Sequence, residues 1–124
     1  MLDIRNTTKS RIPSLPFEQM KDATLGTRYE LSLVFCGDKL SRRLNRTHRS
    51  KDKPTNILSF PVDKNSGEIF IDLRVVRREH KKFERNFENF LAFLFIHGLV
   101  HLKGMDHGSR MEREESKIRR SFNI

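Results

Sequence analysis

The chain contains a single cysteine, Cys36, and no tryptophan among its 124 residues. One cysteine cannot form a disulfide framework, which excludes the small secreted domains that depend on disulfides for their stability. We therefore expect a protein of the reducing cytoplasm. An isolated cysteine of this kind commonly behaves as a small apolar side chain, so Cys36 is predicted to be buried and inert.

The chain also lacks a long hydrophobic run. Its longest uninterrupted apolar segment is Phe90–Ile96, which is seven residues long. A helix that spans a membrane needs about 20 predominantly apolar residues. The first residues, MLDIRNTTKSRIP, contain no apolar signal-peptide core. The sequence therefore predicts a soluble protein with no membrane partner.

Negative charge is in short supply. The chain has 25 Lys and Arg against 16 Asp and Glu, a formal net charge of +9, and its pI is about 10.2. Such a field attracts polyanions, which makes nucleic acid a natural partner. The alternative is that the excess charge only keeps the protein in solution.

The length suits one domain over residues 1–124. Apolar residues alternate in 28–35, and similar strand patterns follow in 56–62 and 68–73, the first of these held at a sheet edge by Pro61. Helical patterns cover 17–25, 37–49, 74–83, 86–102 and 109–122. Strands then precede most helices along the chain, which indicates the α+β class.

Three features refine these helices. Asp38 is predicted to cap the second one, and Ser109 with Glu112 has the spacing of a capping box. The segment Asn86–Leu102 has apolar residues on nearly all sides, so it is predicted to be the buried central helix.

Three of the five histidines lie within residues 97–107, HGLVHLKGMDH. His97 and His101 are four residues apart, which places their side chains about 40° apart on one helix face and about 6 Å apart along the axis. Gly104 would allow the left-handed conformation that turns the chain back and brings His107 to the same place. Three neutral imidazoles with an open fourth position are typical of a catalytic zinc site, although other divalent metals also suit imidazole. Three unrelated histidines remain the alternative.

A glycine, Gly98, follows the first histidine. The protease pattern H-E-x-x-H places a glutamate there as general base. Its absence indicates a substrate other than a peptide. Glycine inside a helix also costs about 1 kcal/mol, so Gly98 is predicted to make room for a neighbouring group.

A second cluster is basic and lies between residues 42 and 53. A guanidinium binds phosphate oxygens bidentately and can neutralise charge that develops in a transition state. A solvated basic loop is the alternative. The candidates for contact with RNA phosphates are Arg42, Arg43, Arg46, Arg49, Lys51 and Lys53.

Two segments together resemble a known family. Residues 97–107 resemble the H-G-x-x-H-L-x-G-x-D-H signature of the YbeY family, bacterial endoribonucleases that mature rRNA. Residues 47–61, THRSKDKPTNILSFP, resemble its second block, an aromatic residue followed by R-x-K-D-x-P-T-N-V-L-S-F-P, and 67–71, GEIFI, resembles its G-D-I-x-I strand. The resemblance covers about residues 29–115. His48, Met105 and Glu68 depart from the usual aromatic, tyrosine and aspartate.

The resemblance implies an α+β domain in which helices and a small mixed sheet of about four strands surround a central, buried metal-binding helix. It implies cleavage of single-stranded RNA, maturation of the 16S rRNA 3′ end and ribosome quality control. It also implies contact with the small ribosomal subunit, and ribosomal proteins and a GTPase are possible further partners. By position, the zinc ligands are His97, His101 and His107, and the essential arginine is Arg49.

The sequence leaves open the role of Asp106, the general base, the nucleophile and two alternative functions. Asp106 either orients a histidine as a second-shell partner or caps the turn. No general base is evident, and either water or a ribose 2′-hydroxyl is a suitable nucleophile. Two other functions remain: a non-catalytic, zinc-containing ribosome-assembly or RNA-binding factor, and a metallohydrolase of another substrate.

Overall fold

Helices and strands alternate along most of the chain in the computed structural model, which describes residues 1–124. The strands are β1 (Leu2–Asn6), β2 (Glu30–Cys36), β3 (Ile57–Asp63) and β4 (Ser66–Asp72). The helices are α1 (Phe17–Leu25), α2 (Asp38–Arg49), α3 (Leu73–Glu79), α4 (Phe87–Leu102) and α5 (Ser109–Ser121), with a short 3₁₀ turn at His80–Phe83. The predicted α+β class is confirmed, but the expected order of strands before helices is wrong.

The four strands form one mixed sheet in the order β1-β2-β4-β3. β1 and β4 both run parallel to β2, whereas β3 pairs antiparallel with β4 at the edge of the sheet. The edge position of β3 agrees with the prediction from Pro61, which cannot donate a ladder hydrogen bond. Strand β1 was not predicted, because it is short and four of its five residues are exposed.

One face of the sheet carries the hydrophobic core. The alternation in β2 is confirmed, since Leu31, Leu33 and Phe35 are at most 2% exposed. Helix α4 lies on this face, where it contacts β3 and β4 and also packs against α1 and α5. Its buried residues fill the centre of a core of 21 side chains, as expected for a helix that is apolar on nearly all sides.

Two predicted helix caps are wrong. Helix α2 begins at Asp38 with Gly37 in the N-cap position, and the Asp38 carboxylate instead pairs with Arg78 at 3.1 Å. Helix α5 has Gly108 at its N-cap, and no side chain forms the predicted capping box with Glu112. In both cases a glycine takes the cap position and offers no side-chain hydrogen bond.

A small polar network lies on the opposite face of the sheet, beneath α2. Asp72 accepts a hydrogen bond of 2.6 Å from the Ser41 hydroxyl and also caps α3 through the backbone N–H groups of Arg74 and Val75. Burial raises the pKa of the Asp72 carboxyl, and burial together with Asp72 raises the pKa of the Cys36 thiol to about 12. Cys36 is fully buried, so the predicted inert thiol is confirmed.

Gly98 makes room for the sheet. A Cβ atom at this position would lie 2.8 Å from both Ile57 Cδ1 and Ser59 Oγ and 3.2 Å from Ile69 Cδ1. A side chain here would require the side chains of Ile57 and Ser59, or α4 itself, to shift. Gly98 therefore makes room for side chains of the sheet, and the close packing brings the face of α4 that carries His97 and His101 next to β3.

The substitution Gly98→Ala is expected to lower the free energy of unfolding by about 1–3 kcal/mol, because overpacking outweighs the gain in helix propensity. Urea unfolding of both proteins, followed by circular dichroism, measures the difference. An increase in the free energy of unfolding would contradict this prediction. Such an increase, of about 1 kcal/mol, is expected if position 98 faces solvent or an empty cavity.

Candidate metal centre

One stripe of α4 stays open while the rest of the helix is buried. Beyond Phe90, the residues of α4 that are not buried are Phe93, His97, His101 and Leu102. Because the first three recur every four residues, they lie in a row along one face. The sheet and α5 flank this row, so the two histidines project into a cleft.

The third histidine reaches the other two through the turn that ends α4. Gly104 adopts φ +93° and Gly108 φ +149°, conformations that favour glycine. The nitrogen atoms that His97, His101 and His107 offer as ligands lie within 4.8 Å of one another. The predicted convergence of the three imidazoles is thus present in the structure, and the turn at Gly104 produces it.

The donor set fits a metal ion such as zinc. Three imidazoles whose nitrogens lie this close together could hold one ion. No cysteine or carboxylate joins the three histidines as a fourth ligand in this group. The arrangement has the form of an open site, in which one position faces the cleft.

Glu115 of α5 contacts the site from behind. Its Oε1 atom lies 2.5 Å from Nδ1 of His97, and the carboxylate is 8% exposed. A carboxylate that accepts a hydrogen bond from Nδ1–H selects the tautomer whose Nε2 is free to bind a metal. The carboxylate therefore orients His97 and increases its basicity as a ligand.

Sequence reasoning proposed Asp106 for this orienting role and overlooked Glu115. Asp106 is exposed, and it forms no hydrogen bond with a histidine. A signal for Glu115 was present, because it falls between Met111 and Ile118 on the buried side of α5. A carboxylate in an apolar stripe needs a partner there, and its partner is His97.

The electrostatics of the site favour neutral imidazole. The pKa of His101 is lowered, first by burial and then by the neighbouring His97, His107 and Arg49, while Asp106 opposes the shift. A neutral imidazole is the form that binds metal. The contribution of Arg49 also places its positive charge close to the histidines.

The histidines open into a cleft of about 970 Å³. Arg49 and Lys51, at the C-terminal end of α2 and in the following loop, line one side. The other side is formed by α5, from which Glu112, Ser116 and Arg119 line the cleft. Partial burial lowers the pKa of the Arg49 guanidinium. The structure thus brings the predicted arginine to the metal site.

The other basic candidates are divided. Arg42 forms two hydrogen bonds with Asp52, of 2.9 and 3.1 Å, and Arg46 lies 3.7 Å from the same carboxylate. Arg43 and Lys53 are exposed and do not line the cleft. Among these candidates, only Lys51 borders the cleft.

His48 stands at a position where the family pattern has an aromatic residue. Its ring centroid is 4.6 Å from that of Phe60 on β3. Phe60 in turn contacts Phe70 on β4 with a ring separation of 5.9 Å. An imidazole in the aromatic position therefore keeps the packing of α2 on the sheet.

The fold and the site define a small α+β domain with three histidines, two on α4 and one in the turn that follows it, that could hold one metal ion. The family model described as "Endoribonuclease YbeY" matches residues 4–122 of the chain. The chain belongs to the YbeY family.

Individual relatives agree with this assignment. The chain is 34% identical over 128 residues to an endoribonuclease YbeY of Aliarcobacter butzleri, covering 95% of this chain and 90% of the relative. It is 40% identical over 94 residues to an endoribonuclease YbeY of Chelativorans sp., covering 68% of this chain but only 58% of the relative. A solution structure of a Thermotoga maritima protein matches 95% of this chain and 86% of its own, with a TM-score of 0.66 and 22% identity, and so shows the same fold.

The structure contains no helix with the length and apolarity needed to cross a membrane.

The substitution Glu115→Gln is expected to weaken zinc binding about 10- to 100-fold, because the amide is a poorer acceptor for Nδ1–H of His97. Competition with a chelating dye measures the affinity. Glu114→Gln is the matched control, since Glu114 is adjacent and pairs with Lys103 instead. Equal affinities for the two variants would contradict the orienting role of Glu115.

Metal-free protein is expected to lose stability as the pH falls below about 6.5, the ordinary histidine pKa. The lowered pKa of His101 means that the unfolded chain takes up a proton more readily than the folded one there, so acid favours unfolding. Urea titrations at pH 5.5 and 7.5 measure the loss. The variant His101→Asn should show a smaller loss, and an identical pH dependence would exclude His101 as its source.

Proposed function

We propose that this protein is a zinc-dependent endoribonuclease that cleaves single-stranded RNA. The observation that supports this best is the position of Arg49 beside three histidines whose open side faces the cleft. A phosphodiester needs a cation for its oxygens and a donor for the charge that develops in the transition state. The net charge of +9 agrees with a polyanionic substrate.

Each residue has a defined role in this proposal. His97, His101 and His107 hold the zinc ion, and Glu115 keeps His97 in the required tautomer. When bound, zinc supplies Lewis-acid chemistry at the scissile phosphate. Arg49 binds a non-bridging oxygen of that phosphate and stabilises the charge that develops on it.

The site favours a phosphodiester over a peptide bond. Metalloproteases of the H-E-x-x-H type carry a general base immediately after the first histidine. Here the residue is Gly98, and the sheet occupies the space beside it. The proton acceptor must come from elsewhere, and both water and the ribose 2′-hydroxyl are suitable nucleophiles for a phosphodiester.

The biological setting follows from the family. We propose that the substrate is a precursor of 16S rRNA on the small ribosomal subunit, and that the enzyme acts in 3′-end maturation and ribosome quality control in the cytoplasm. Ribosomal proteins and a GTPase are proposed as partners that bring the enzyme to the subunit.

The test is cleavage of a 5′-labelled single-stranded RNA by zinc-loaded protein, with a duplex of the same sequence for comparison. The expected result is cleavage of the single strand alone, with activity lost on chelation, restored by zinc and abolished by His101→Ala. Cleavage that resists chelation would point to a contaminating nuclease and contradict the proposal. RNA binding without cleavage would favour the non-catalytic assembly factor.

The substitution Arg49→Ala is expected to lower the cleavage rate at saturating RNA by at least about 100-fold, because a donor to the transition state is lost. Zinc content should not change, since Arg49 is not a ligand. Arg43→Ala serves as the control because Arg43 is exposed on the same helix and away from the cleft. A loss of rate equal in both variants would mean that Arg49 contributes only general positive charge.

A further inference from the structure

The open stripe of α4 continues past the histidines. Phe93 lies one helical turn before His97, a rise of about 6 Å, and its half-buried ring also lines the cleft. Helix α5 runs beside this stretch, with Glu115 at His97 and Arg119 at Phe93. The cleft thus extends from the proposed metal position along both helices.

Two guanidinium groups meet over this ring. The Cζ atom of Arg85 lies 4.3 Å from the ring centroid of Phe93, and the Cζ atom of Arg119 lies 5.1 Å from it. Arg85 reaches this place from the segment before α4, whereas Arg119 comes from the last turns of α5. Cation–π attraction holds both groups against the same aromatic surface.

Hydrogen bonds also restrain both side chains. Arg85 donates to the side chain of Asn89 and, at 3.1 Å, to the backbone oxygen of Ile124. Arg119 donates to the Ser116 hydroxyl at 3.2 Å. All of these contacts leave further guanidinium N–H groups available, because each arginine carries five donors.

Glu115 is the one acidic side chain that forms an ion pair with this pair of arginines. No Asp or Glu side chain forms an ion pair with Arg85. Arg119 has Glu115 at 3.5 Å, but that carboxylate already accepts a hydrogen bond from His97. Burial and then Arg119 lower the pKa of Arg85. Two cations held together in this way are stabilised when an anion binds between them.

We propose that Arg119, which lines the cleft, and Arg85, whose guanidinium lies at the same Phe93 ring, form a second phosphate-binding subsite at the end of the cleft. It takes the backbone phosphate of the nucleotide next to the scissile one in a single-stranded RNA. The inference rests on the proposed function and deepens it, because it predicts that the RNA strand runs along α4 and α5. The forked guanidinium geometry suits a phosphodiester, whose two non-bridging oxygens accept in parallel.

The test is equilibrium binding of a fluorescent 2′-O-methyl octanucleotide, checked on a gel to be intact afterwards, to zinc-loaded protein over a range of salt concentrations. The double variant Arg85→Gln, Arg119→Gln is expected to raise the Kd about tenfold. Loss of one phosphate contact should also reduce the slope of log K against log salt by about 0.7. Zinc affinity should stay at the wild-type value in the single variant Arg85→Gln, because the contact between Arg119 and Glu115 is then intact.

Arg77→Gln is the matched control. Arg77 also lies over an aromatic ring, with its Cζ atom 4.6 Å from the centroid of Phe87, but Phe87, unlike Phe93, does not line the cleft. This variant should keep the wild-type Kd and slope. The single variant Arg85→Gln, which leaves the contact between Arg119 and Glu115 intact, should raise the Kd by a smaller factor. If the double variant does not fold, the Kd and the salt slope of this single variant test the subsite instead.

The outcomes separate the subsite from the enzyme. A wild-type protein that cleaves RNA, with variants that keep its Kd and slope, would overturn the subsite and leave the endoribonuclease. A wild-type protein that binds but does not cleave would overturn the endoribonuclease, while the change in slope still reports on the subsite. A wild-type protein that binds no RNA would overturn both.

Discussion

The site depends on how closely α4 approaches the sheet. Gly98 allows α4 to lie against Ile57, Ser59 and Ile69 without an intervening side chain. This contact sets the rotation of the helix about its axis, because the residues on the opposite face must then fit against α1 and α5. One stripe is left without cover, and it holds two of the three histidines. Packing of the core therefore decides where the imidazoles point.

Orientation of the ligands needs a second constraint, which comes from α5. The turn with Gly104 and Gly108 reverses the chain, so that α5 returns along α4 and places Glu115 behind His97. The same reversal carries His107 to the cluster. Two glycines thus connect the third ligand and the orienting carboxylate, and neither could be positioned without the other. Because Glu115 also approaches Arg119, the metal site and the pair of arginines share one carboxylate.

The sequence was most informative where a local pattern carries the geometry. The spacing of His97, His101 and His107 with Gly104 was sufficient to predict their convergence, since it depends on helix periodicity and one turn. Alternation likewise located β2. Strand β1 escaped prediction because its stability comes from pairing with β2 and not from burial of its own side chains.

Contacts between distant segments could not be predicted in the same way. The ion pair of Arg42 with Asp52 partly neutralises one of the basic candidates, yet composition alone counts it as positive charge. Glu115 was overlooked because its partner lies 18 residues away on another helix. In both cases the role of the side chain depends on which helix or loop packs beside it. The residues next to it in the sequence do not reveal that packing.

The position after the first histidine shows how one scaffold can separate two chemistries. In the H-E-x-x-H pattern this position supplies a general base beside the metal. Here a side chain would collide with the sheet, so the helix can approach the core more closely but has no base of its own. Positive charge then comes from outside the helix: from Arg49 on one side of the cleft, and from Arg119 on the other. A site with guanidinium groups around it and no carboxylate next to the first histidine lacks the base that would activate water for attack on a neutral amide. It is well suited to a substrate that brings its own negative charge.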